Sequence, residues 1–167
     1  MPLDLENPVN LHRQFDLVLA LEVAEHLSPS SADTFVDNLT KAGPVVLFSA
    51  AIPFQGGPHH VNEQWPGYWI DKFIKRNYSV IDCIRKRVWS DPRVSWFYAQ
   101  NSFVFARRET IEKTPSLSRE LSEDSDLPRS LVHPRRYLQI ADPSNRTLTG
   151  LFWDSIRWFK RRGSHGR

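Results

Sequence analysis

The chain has 167 residues, enough for one domain with a tail, and 40% of them are hydrophobic, so most of it carries the apolar surface needed to fold. Its 22 lysines and arginines against 19 acids leave a formal charge of +3, too even a balance for a dedicated nucleic-acid binder, whose charge gathers in one stripe. A single cysteine, Cys83, excludes an internal disulfide or a cysteine-based metal framework and fits a reducing compartment; with neither a basic-then-apolar leader nor an apolar run of about 18–20 residues, the chain reads as cytoplasmic.

Phe15–Leu21 (FDLVLAL) is apolar after Asp16 and ends at polar residues, the pattern of a short strand buried on both faces. Ser28-Pro29 predicts a helix start, with Ser28 as N-cap and Pro29 at the first helical position. Ala32, Phe35, Val36 and Leu39 then fall on one helical face, and Gly43-Pro44 ends the helix. Val45–Ile52 (VVLFSAAI) is a second buried strand, so the first hundred residues open with a βαβ unit whose strands are parallel.

Pro53–Gln64 (PFQGGPHHVNEQ) is a loop by its prolines and glycines. Pro66 opens a second helix with Trp69, Ile70, Phe73 and Ile74 on one face, cations toward its end, and Asn77 as its stop. Tyr78–Trp89 and Trp96–Arg107, rich in β-branched and aromatic residues, read as two antiparallel strands joined at Ser90-Asp91-Pro92-Arg93 and closing the sheet edge. Glu109–Arg129, rich in Ser, Glu, Asp and Pro, reads as a flexible linker, and Leu148–Arg162 as a basic amphipathic helix. The expected organisation is an α/β domain over 1–107, a linker over 108–129 and a tail over 130–167. The tail helix could rest on an anionic membrane surface, but docking on protein is the favoured reading.

Glu22, Glu25 and His26 follow the carboxyl end of the first strand, where open α/β sheets bind ligands; the plainer alternative is that they serve the next helix N-terminus. His59 and His60 follow the second strand on the same edge, and a histidine near neutral pKa suits removal of an acceptor proton; the alternative is a polar surface loop. Glu22, Glu25, His26, His59 and His60 are of types that bind zinc or iron, but H-E-x-x-H is absent and no standard ligand spacing occurs, so no metal is expected. Trp65, Tyr68 and Trp69 could stack on a substrate, with core packing favoured, and Cys83 is expected to be inert.

These segments together resemble a family. FDLVLALEVAEHL at Phe15–Leu27 resembles the fourth strand and following loop of class I S-adenosylmethionine-dependent methyltransferases, where an acidic residue and then Glu-His-Leu follow an apolar strand. GPVVLFSAAIPF is similar to that fold's fifth strand, HHVNEQWPGYWIDKF to the loop and helix after it in small-molecule methyltransferases, and Tyr78–Arg107 to strands six and seven. The resemblance implies a partial Rossmann-like sheet with its last strand antiparallel. It implies methyl transfer to a small-molecule acceptor, with Glu22, Glu25 and His26 beside S-adenosylmethionine; for an acceptor hydroxyl, His59 or His60 is the candidate base.

The same resemblance marks what the sequence lacks. The family holds the methionine end of its cofactor on a glycine-rich turn, yet none of the seven glycines form G-x-G, and 14 residues before Phe15 are too few for two βα units of roughly 30 residues each. The expectation is the C-terminal half of such a fold, with Asp4-Leu5 as the remnant of strand three, Asp4 near the adenine, and weak or absent cofactor binding by this chain alone. Phe15–Leu21 would then be an apolar sheet edge, open to a second copy or to the missing half. The alternative function is a non-catalytic binding or regulatory module that pairs through that edge or through the basic C-terminal helix.

Overall fold

The structure, a computed structural model, describes residues 3–122 and 128–142. The expected helix at Leu148–Arg162 lies outside the described residues. The chain divides into two compact units, Met1–His133 and Pro134–Arg167. In the second, the described residues carry a helix at Pro134–Ala141.

The first unit is an α/β fold on an open, mixed sheet. Its strands are β1 (Val18–Leu21), β2 (Val45–Ser49), β3 (Tyr78–Ile81) and β4 (Phe103–Arg107), in the order β1-β2-β4-β3. β1 and β2 are parallel, as the βαβ pattern predicts, with Val18 opposite Val46 and Leu21 opposite Ser49. β4 runs antiparallel to both of its neighbours, which makes β3 parallel to β1 and β2. The carboxyl ends of β1, β2 and β3 and the amino end of β4 therefore share one edge.

The helix between β1 and β2 is α1 (Ala32–Ala42); Pro29–Ser31 forms a 3-10 turn ahead of it rather than its first turn, and Ser28 makes no side-chain cap. Ala32, Phe35, Val36 and Leu39 are buried, as their spacing requires. At its end, Gly43 lets the chain pass close: a Cβ there would strike the Phe15 carbonyl oxygen, while the Phe15 amide bonds to Ala42 O at 2.8 Å.

α2 (Pro66–Ile74) buries Trp69, Ile70 and Phe73 against the same sheet face, and Asn77 takes the left-handed conformation (φ 62°) that ends it. Phe73 stacks on Phe105 with centroids 3.8 Å apart and 9° between planes, and Phe48 meets both rings edge-on. Ile74, expected on that face, is exposed. Lys72 and Arg76, which the sequence assigns to the helix dipole, reach across to α1: Lys72 Nζ lies 2.7 Å from Asp33 and Arg76 Nε 2.7 Å from Asp37. The bond from Lys72 is the main reason that the Asp33 carboxyl is held below its usual range.

Several expectations give way here. β3 and β4 pair antiparallel, but each is much shorter than the predicted strand, and β4 lies inside the sheet with β3 at the edge. Between them stand α3 (Arg85–Val88) and α4 (Trp96–Asn101). β3 stops where Asp82 pairs with Arg85, both buried, and the Arg85 guanidinium lies 4.2 Å over the Phe103 ring while also bonding to the carbonyls of Pro128 and Arg129. A buried ion pair of this kind demands a local turn that β-propensity does not register.

The stretch expected as a linker holds two helices: α5 (Arg108–Lys113) and α6 (Pro115–Ser122) place Ile111, Leu117 and Leu121 against the second sheet face, on Ile81, Val104 and Ala106. Residues 3–17 form turns, bends and irregular chain, so Asp4-Leu5 is not a strand remnant. β1 is not buried on both faces: Ala20 is buried, but Leu17 and Leu19 are 51% and 61% exposed, because α5 and α6 pack against the other end of that face.

Candidate functional site

The shared sheet edge gathers polar residues from three connections, those after β1 and β2 and the one between β3 and β4. After β1, Glu22 adopts a left-handed backbone (φ 51°) that turns the chain sharply out of the strand, with its amide bonded to both the carbonyl and the hydroxyl of Ser49 at 3.0 Å. Its carboxylate accepts from Gln55 Nε2 at 2.8 Å and from Asn101 Nδ2 at 3.2 Å. Asn101 Nδ2 also bonds to Gln55 Oε1 at 2.9 Å, and Gln100 Nε2 to Asn101 Oδ1 at 2.9 Å. Glu22 thus sits on a rigid amide platform supplied by the β2 loop and α4.

Ala24–His26 form a 3-10 turn in which Glu25 is wholly buried. Its carbonyl accepts the amides of Val61 and Asn62, at 2.9 and 3.0 Å, and these two bonds draw the His-His loop against the turn. His60 comes to lie edge-on to His26 with ring centroids 4.9 Å apart. Glu63 accepts from His60 Nδ1 at 2.9 Å and from the amides of Phe54 and Gly56 at 2.7 Å, so it holds the loop and the imidazole together. Gly57 is required beneath that ring, because a Cβ there would collide with His60.

Neither Glu25 carboxylate oxygen has a hydrogen-bond partner. Burial pushes its pKa up to about 7; its own amide, that of Ala51 and the His60 imidazole favour the charge, while Glu22 opposes it. Those amides lie near the carboxylate without forming a well-directed bond. One ligand atom from each of Glu25, His26 and His60 falls within 4.8 Å of the others, a spacing compatible with a metal ion.

The structure therefore brings Glu22, Glu25, His26 and His60 to one edge. His59 is exposed with φ 59° and stands apart from the Glu25-His26-His60 group. Asp4 is exposed and occupied within its own turn, accepting from the Glu6 amide and the Asn7 side chain. Trp69 belongs to the core, Tyr68 packs against its rim, and Trp65 is 43% exposed. Cys83 packs beside Ile81, and burial pushes its thiol pKa up. Sequence reasoning missed Gln55, Glu63 and Asn101. Glu63 stands three residues after His60, but Asn101 could be found only by knowing that β4 starts at this edge.

On the exposed side of β1 lies a groove of about 570 Å³, lined by residues that include Leu5, Val9, Leu11, Val18, Leu19 and Val23. No helix among the described residues is long and apolar enough to cross a membrane. Comparison with known proteins finds no matching family model, no matching characterised sequence and no matching solved structure.

Proposed function

We propose that this chain carries part of the active site of an S-adenosylmethionine-dependent methyltransferase acting on a small-molecule nucleophile. The observation that carries the reading is that Glu22, Glu25 and His26, from the segment resembling the family, meet His60 at the carboxyl ends of two parallel strands. Ligands of open α/β sheets occupy that position. The antiparallel last strand, β4, agrees with the partial Rossmann-like sheet that the resemblance implies.

Methyl transfer is a direct displacement at a sulfonium carbon, so alignment of donor and acceptor supplies most of the rate. On this reading Glu22, held by Gln55 and Asn101, borders the donor. An acceptor hydroxyl must also lose its proton, and His60, oriented by Glu63, is the group placed to assist. The glycine turn for the methionine end is absent from these residues, so weak binding is expected. Calorimetric titration tests this: saturable binding at millimolar S-adenosylmethionine, lost in Glu22→Gln, supports the reading, and absence of heat at that concentration counts against it.

A second reading has its own observation. β1 is a sheet edge with Leu17 and Leu19 exposed beside an apolar groove, which suits a non-catalytic module that pairs with a second copy or another chain.

A further inference from the structure

The Glu25 carboxylate poses a physical problem: it is wholly buried, and both of its oxygens lack a hydrogen-bond partner. Buried carboxylates are ordinarily paired or bound to a cation, because the uncompensated charge is costly. No lysine or arginine bonds to it; what lies beside it is two imidazoles. A proton could relieve the charge, but it would still leave an acidic hydroxyl without an acceptor.

Three ligating side chains converge on this spot. Glu25 offers an oxygen, and His26 and His60 each offer a ring nitrogen, all within 4.8 Å of one another. A tetrahedral shell with bonds of about 2.0–2.1 Å spaces its ligands about 3.4 Å apart, so the three groups must draw in from their metal-free spacing to close on an ion. A carboxylate with two imidazoles is a mixed hard and borderline donor set, suited to zinc or iron(II)-type ions rather than calcium or magnesium.

The supporting shell is also present. Glu63 accepts the Nδ1 proton of His60, which leaves the lone pair on Nε2, the carboxylate–histidine arrangement that orients metal ligands. Gly57 leaves room for the ring, and the Val61 and Asn62 amides lock the loop to the Glu25 carbonyl.

We infer that Glu25, His26 and His60 hold one divalent transition-metal ion, with Glu63 as the positioning residue for His60 and an open coordination position toward solvent beside the exposed His26. The binding site does not depend on the methyl-transfer reading; its use does. With an ion in place His60 would be a ligand, and the ion would lower the pKa of an acceptor oxygen at the open position, in place of proton removal by a free imidazole.

The test uses the full, untagged chain after chelator dialysis, titrated with cobalt(II) alone and followed by its visible ligand-field absorption, with circular dichroism reporting the fold. One saturable site per chain, displaced by zinc and weakened at least about tenfold in both His26→Ala and Gly57→Ala, supports the site. His12→Ala, remote in the fold's N-terminal turns, should bind as wild type. A folded chain with no saturable cobalt spectrum, or with equal affinity in wild type and His26→Ala, overturns it. No cofactor or acceptor is present in that titration, so its failure is separate from failure of the methyl-transfer proposal.

Discussion

Glu63 and His60 are joined by a 2.9 Å bond from Nδ1, and the same carboxylate closes the loop by accepting the amides of Phe54 and Gly56. One side chain thus sets both the path of the backbone and the orientation of the imidazole.

Glu63→Gln separates these two duties. The amide keeps one accepting oxygen, but it presents an NH2 group where the second oxygen accepted an N–H, and it loses the charge. Cobalt(II) affinity per folded chain is expected to fall about tenfold, and Glu63→Asp should recover part of it. A purely structural role would lower the melting temperature and leave the affinity and the absorption band of the folded fraction unchanged.

Glu25 makes stability depend on pH in the metal-free chain. Its folded-state pKa of about 7 stands above an unfolded value of 4.5, chiefly through burial, with Glu22 raising it further and His60 opposing; His26 is the other titratable group in contact range. Between those values the folded state binds more protons than the unfolded state. The contribution is therefore fully present below pH 4.5 and lost as pH rises through 7, by about 3 kcal/mol at most. Urea denaturation in chelator should show this decline from pH 5 to pH 8, and Glu25→Gln should flatten it. An equal slope in the two proteins would place the titration elsewhere.

Much of the fold was readable because local pattern and tertiary demand agree. The apolar runs at Val18–Leu21 and Val45–Ser49 and the spacing of Phe35, Val36 and Leu39 admit one arrangement, a parallel pair with a helix on it. The stretch from Asp82 to Asn101 was not readable, because its helices answer to a buried Asp82–Arg85 pair and to amide bonds with residues far along the chain. Arg108–Ser122 misled for the opposite reason. Its apolar residues are sparse, yet Ile111, Leu117 and Leu121 are spaced to meet one sheet face. The site was legible as residue types at a strand end. The pairing of His26 with His60 was not, since it arises from two backbone bonds to the Glu25 carbonyl.

Phe73 and Phe105 test the core. Their stacked rings are 0% and 1% exposed and join α2 to the centre of the sheet. Phe73→Ala should cost about 3–5 kcal/mol, whereas Ile74→Ala, one residue on and half exposed, should cost about 0.5 kcal/mol or less. Chemical denaturation of both variants against wild type measures the contrast; similar losses would mean that α2 docks on a different face.

The free edge of β1 sets the last prediction. Side chains alternate across a strand, so Val18 and Ala20 turn toward α1 while Leu17 and Leu19 project on the face that α5 and α6 leave bare. The backbone on the outer side of β1 has no strand beside it among the described residues. An apolar, uncharged edge of this kind recruits another strand, and lysine is the usual deterrent. Size-exclusion chromatography with light scattering should show the wild-type chain associating as concentration rises. Leu17→Lys combined with Leu19→Lys should shift it to monomer with little change in melting temperature, since both side chains are already exposed. A wild-type chain that stays monomeric across the concentration range, or a double variant that associates equally, would remove the edge as a docking surface.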